Sequence, residues 1–149
     1  MQENDNDIVR GLGFVTLYAA YLEEQIDSLR HTLSAVQKVD DREHKWPISV
    51  RIDKIKEIVS TFEFEDRNEL LQNLNIAKIL LDRQNEVVHG RIYANFDRDD
   101  TLKSGRPNVP ERTIEAKELY DLANEFMGLR NEIYRPMVFK IPRAMSLKK

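Results

Sequence analysis

The sequence predicts an all-α fold, a bundle of four helices, and three observations carry that prediction. Apolar residues return at steps of three and four in separate stretches, turn and capping residues stand at the ends of those stretches, and only residues 91–113 lack a helical period over any length. The clearest signal comes first. Leu12, Val15, Ala19, Leu22, Ile26, Leu29, Leu33 and Val36 keep one stripe of a helix apolar for more than three heptads, after N-cap candidates at Asn4 to Asp7. A second row, Phe14, Tyr18, Tyr21 and Gln25, is expected to complete the core rather than form a dimer surface. Gly11 and Gly13 either weaken the first turns or permit close packing.

A charged connection, residues 37–46, closes at Trp46-Pro47, and Ile48, Ile52, Ile55, Val59 and Phe62 then mark a short second helix. The third helix spans 66–90. Asp66 is placed as its N-cap with Glu69 three residues on, and Gly90 as the permissive residue beyond its C-terminus. Leu70, Leu74, Ala77, Leu81 and Val88 form its seam, interrupted by Gln84, and Ile76, Leu80 and Val87 lie beside it. On the polar side, Asn75, Lys78, Asp82, Asn85 and His89 sit three or four apart and so share a face. Arg83 lies about 120° around the axis from His89. One helix therefore does not join the two easily.

Residues 91–113 are expected to form a long loop or a small hairpin. Ile92, Ala94 and Phe96 alternate with polar neighbours, Asp99-Asp100 signals a turn, and Leu102-Lys103 returns as a second short strand. Five basic residues here, Arg91, Arg98, Lys103, Arg106 and Arg112, outnumber four acids. Thr113 is the expected cap of the last helix, whose apolar row is Leu119, Leu122, Phe126, Leu129 and Ile133, and Pro136 ends it. The tail, 138–149, carries Lys140, Arg143, Lys148 and Lys149 without an acid, which suits a flexible end or a contact arm.

At 149 residues the chain, 1–149, is expected to be a single domain. A net charge of −3 and a pI near 5.7 argue against a general nucleic-acid coat protein and leave room for a local basic pocket. Without cysteine there are no disulfides, thiolate metal sites or cysteine nucleophiles. No leader pattern opens the chain, and charges interrupt every apolar stretch, so a cytoplasmic protein without a membrane segment is expected. His31 and His44 have no partners at metal-ligand spacing. Neither a metal cluster, a Gly-rich phosphate loop nor a serine triad appears, and no cofactor is expected.

The helix ending in Arg83-Gln84-Asn85-Glu86-Val87-Val88-His89-Gly90, set in this helical layout, resembles the HEPN family, the higher eukaryote and prokaryote nucleotide-binding domains. Arg83 and His89, with five residues between, match that family's arginine-histidine motif. The Leu22-Glu23 pair in the first helix is also similar. Counting back from His89, Gln84 holds the commonest slot for the arginine and Asn85 the polar slot after it, so Arg83 stands one residue early.

The resemblance implies a HEPN-like four-helix bundle, usually a homodimer, that cleaves RNA without a metal in toxin-antitoxin, phage-defence or RNA-processing settings. It implies catalytic roles for Arg83 and His89. Asp82, Gln84 and Asn85 would support them, and Arg91, Arg98, Lys103 and Arg106 are candidate RNA contacts. The alternative is a catalytically silent HEPN-like binding module, either an immunity or antitoxin protein or an RNA- or nucleotide-binding adaptor, with a cognate toxin or antitoxin as partner. A plainer assignment remains for each residue: an ion pair with Glu86 for Arg83, and a C-terminal helix cap for His89.

Overall fold

The computed structural model describes residues 7–94 and 99–147. Among these the elements run α1 (Ile8–Thr32), α2 (Ile48–Val59), α3 (Arg67–His89), β1 (Arg91–Tyr93), β2 (Thr101–Lys103), β3 (Arg112–Thr113), α4 (Ala116–Arg135) and α5 (Ile141–Ser146). The all-α expectation holds broadly, with one small antiparallel sheet added in the order β1-β2-β3. No helix among the described residues is long and apolar enough to cross a membrane. The chain divides into two compact units, Met1–Ala20 with Ile79–Met127 and Tyr21–Lys78 with Gly128–Lys149, whose boundaries fall within α1, α3 and α4.

The second unit gathers the later part of the α1 stripe. Leu22, Ile26, Leu29 and Leu33 are fully buried, as are Ile52 and Ile55 of α2, Leu70 and Leu74 of α3, and Ile133 of α4. Val36, the last residue of that stripe, is 40% exposed because α1 gives way to a 3-10 turn at Leu33–Ala35. A buried ion pair holds the connection that follows. Arg30 donates to both Glu43 oxygens at 2.7 and 2.9 Å and to the carbonyls of Gln37 and Lys38, while Glu43 also accepts from the Asp40 amide. Both residues are 6% exposed, so every charge taken from water here has a partner. The two lie 13 positions apart. No helical spacing pointed to them.

Asp66 departs from the expected capping box. It sits at φ 68, in the left-handed region, where an N-cap residue is normally extended, and its carboxylate lies 3.9 Å from Lys140 Nζ. The tail departs as well. Pro136 ends the regular part of α4, as its missing N–H requires, but the chain continues as a π-helical turn, Pro136–Lys140, and then α5. Ile141 is fully buried and Lys140 pairs with Glu65 at 2.8 Å, so the first part of the tail is anchored in this unit, while Leu147 is exposed. Lys148 and Lys149 lie outside the described residues.

In the first unit, Asp7 caps α1 by accepting from the amides of Val9 and Arg10 at 2.9 and 3.2 Å. A Cβ on Gly11 would come within 2.9 Å of the Leu119 Cβ, so this glycine permits α1 to close on α4, whereas a Cβ on Gly13 would meet nothing. Val15 and Ala19 join Leu81 and Val87 of α3 and Leu119, Leu122 and Phe126 of α4 in the core. Phe14 and Tyr120 complete it with ring centroids 5.8 Å apart. The sheet turns Leu102, 1% exposed, inward opposite Ile92, and Ile114 is buried just before α4. Thr113 therefore lies in β3, paired with Thr101, and does not cap the last helix. Phe96, expected in the first strand, lies outside the described residues.

Two expectations follow. Glu43→Gln leaves Arg30 buried with half its partner set, and chemical denaturation should register a loss of about 3 kcal/mol. The Arg30 guanidinium holds the Glu43 carboxyl below its ordinary value of 4.5. A carboxyl depressed in the folded state contributes stability that is complete above pH 4.5 and lost as pH falls through its folded value, so the difference between the proteins should shrink only in acid.

Candidate functional site

The site is built on the last two turns of α3. The helix ends because Gly90 leaves it: its amide still bonds the Glu86 carbonyl at 3.0 Å, after which the chain enters β1. Glycine is needed here for space rather than for a left-handed backbone, since no glycine has positive φ. A Cβ at position 90 would lie 2.6 Å from Leu102 Cδ1, 2.7 Å from the Glu86 carbonyl oxygen and 3.1 Å from that of Lys103. The returning strand β2 thus rests directly on the helix end.

That contact arranges the charged side chains. His89, the last helical residue, is exposed, and a Cβ on Gly105 would come 3.5 Å from its carbonyl oxygen, so the chain after β2 passes close by. Arg106 then reaches back to α3 and grips Asp82 at 2.6 Å, pulling its carboxyl below the ordinary range. Arg112 of β3 sits between two helices, on Glu86 of α3 at 3.1 Å and Glu118 of α4 at 2.9 Å. Arg83 pairs across to Glu125 of α4 at 3.0 Å. The expected Arg83–Glu86 pair is therefore replaced, because Arg112 holds Glu86.

Sequence-predicted residues are only partly brought together. Asp82, Asn85 and His89 share the polar stripe, and Asn85 and His89 are exposed on it. Gln84 is half-buried beside Arg83. Among the described residues, no hydrogen bond or ion pair joins Arg83 to His89, which agrees with their separation of about 120° around the axis and about 9 Å along it. Asp82, expected beside His89 as a support, is occupied by Arg106. Arg91 and Lys103 are exposed on the sheet, and Arg98 lies outside the described residues. The acidic partners Glu118 and Glu125 were not singled out from the sequence. Their spacing with Asp121, at steps of three and four along α4, is the signal that marks them.

These pairs differ in strength. Arg83–Glu125 and Arg106–Asp82 are 41–63% exposed, so they hold side chains in place while adding little stability. Arg112 has two carboxylates that are each about 30% exposed and ties β3 to both helices. Comparison with family models, with curated proteins and with solved structures finds no match for this chain.

Gly90→Ala should cost about 1–3 kcal/mol, read as an earlier urea midpoint at unchanged slope, because either β2 or the last helical turn must move. Arg112→Ala should lower stability by about 1 kcal/mol and speed hydrogen exchange in β3, whereas Arg106→Ala should leave the midpoint where it is. Equal effects of the two would contradict the division between a structural arginine and a displaceable one.

Proposed function

We propose that the chain is a HEPN-like, metal-independent endoribonuclease whose site is completed by a second copy of the chain. The observation that carries this reading is the exposed His89 at the end of the α3 polar stripe, six positions after a half-exposed Arg83 on a different face of the same helix. An imidazole takes the proton of a ribose 2′-hydroxyl, whose oxygen attacks the neighbouring phosphorus. The bond from phosphorus to the 5′ oxygen then breaks, and the leaving oxygen receives a proton. A guanidinium offsets the charge that builds on the phosphoryl oxygens. The products are a 2′,3′-cyclic phosphate and a 5′-hydroxyl, and DNA, without the 2′-hydroxyl, is spared.

The second copy supplies what one helix separates. An open apolar groove of about 460 Å³, lined by Leu12, Gly13, Thr16, Leu17, Ala20 and Val88, runs between α1 and the end of α3, and it supports a two-fold contact beside the site. A second reading, a catalytically silent binding module working with a cognate toxin or antitoxin, draws on a specific observation of its own. Arg83, Arg106 and Arg112 are all engaged by carboxylates, so none faces phosphate unopposed.

Incubating a mixed-sequence labelled RNA with wild type, Arg83→Ala and His89→Ala proteins in EDTA separates the two readings. Cutting by wild type alone, leaving cyclic phosphate ends, with a fall of at least about 100-fold in either variant, is the result expected of the nuclease. Equal inactivity of three folded dimers would sink it and leave the binding module. Light scattering at tens of micromolar should find a dimer, and a monomer would remove the composite site.

A further inference from the structure

Of the cations around the end of α3, two differ from the rest. Arg83, Arg106 and Arg112 each have a carboxylate, but Arg91 and Lys103 have no ion-pair partner among the described residues. Their placement makes this costly. Arg91 and Lys103 are directly opposed in the β1–β2 ladder, so their side chains rise from the same face of the hairpin with Cβ atoms about 5 Å apart. Like charges in that position repel one another. The other face is settled by burial: Ile92 opposes Leu102, which is 1% exposed and packs on Gly90. Register places the two cations together on the opposite face, where both are exposed. Tyr93 stands on the same face two residues along, 43% exposed, opposite Thr101, which is buried and donates its hydroxyl to Glu111.

We infer that the outer face of the β1–β2 hairpin is a phosphodiester-binding site, in which Arg91 and Lys103 hold one backbone phosphate of a single-stranded RNA and Tyr93 receives a neighbouring base. The inference rests on the RNA reading above and gives that site its substrate-binding side. A phosphate between two cations relieves their repulsion, while the nearby carboxylate of Glu111 is taken by the Thr101 hydroxyl at 2.7 Å and pairs with neither. An aromatic ring beside a basic pair suits single strands, whose bases are free to stack. Arg91 follows His89 by two residues across Gly90, so a phosphate held on the hairpin sets the strand beside the helix end. The acidic net charge agrees with a small local site rather than a basic coat.

The test uses the full chain and a fluorescent twelve-nucleotide oligouridylate, titrated at several salt concentrations. Arg91→Gln and Lys103→Gln should each weaken binding several-fold, and the double variant should lower the slope of log affinity against log salt by about 0.7, the share of the one phosphate that the pair neutralises. Tyr93→Ala should weaken binding about ten-fold without changing that slope, and Tyr93→Phe should restore it. Arg91→Glu, which sets an acid opposite Lys103, should raise the melting temperature while abolishing binding, so loss of binding there is not loss of fold. RNA binding by wild type with an unchanged slope in the double variant overturns the site while leaving the RNA reading intact. Failure of every protein to bind, wild type included, overturns both.

Discussion

The close approach of β2 to the last turn of α3 is the constraint on which the rest of the charged region depends. Only a residue without a Cβ fits between Leu102 Cδ1 and the Glu86 carbonyl, so Gly90 sets where the helix stops and where the hairpin begins. With Leu102 seated on the helix end, the register places Arg91 opposite Lys103 and carries the following chain past His89 to Asp82. The apolar contact positions the polar ones. Burial of Leu102 and Ile114 contributes the free energy, and the exposed pairs then choose among orientations that this packing already permits.

Charge is matched unevenly across this region. Arg112 bridges α3, β3 and α4 through two partly shielded carboxylates and behaves as part of the framework. Arg83 and Arg106 sit on exposed carboxylates, which a phosphate can replace at small cost because both kinds of acceptor suit a guanidinium fork. Arg91 and Lys103 are left with each other. A chain with a net charge of −3 can therefore present a concentrated positive place without being basic overall. His89 stands at the junction of these groups, at the end of the helix and against the loop that brings Arg106.

The second unit relies on a different device. Its connection after α1 is long and charged, and a loop of that kind is held by few apolar contacts. Arg30 and Glu43 replace those contacts with a buried pair whose remaining donors and acceptors end on Gln37, Lys38 and Asp40. Such a network orients a loop at the expense of desolvating two ions, and its stability depends on both being present. The turn from α4 into α5 uses Pro136 for a similar purpose: the missing N–H interrupts the α-helical ladder, and burial of Ile141 draws the chain back toward Glu65.

Periodic burial was legible in the residues themselves. Leu22, Ile26, Leu29 and Leu33, or Leu119, Leu122 and Phe126, mark the buried face of their helices because a helix repeats its geometry every few residues, and a local repeat leaves a local pattern. The polar stripe ending at His89 was legible for the same reason, and the strand return at Leu102-Lys103 from the turn signal at Asp99-Asp100. Pairings between distant positions left no such trace. Arg83 chose Glu125 over Glu86, Asp66 took a left-handed backbone in place of a capping one, and Thr113 entered a strand. Each outcome was decided by which side chain or strand arrived from elsewhere in the chain. Ion pairs and short strands are worth little by themselves, so their partners are selected by the packing that brings them within reach, and that packing exists only in three dimensions.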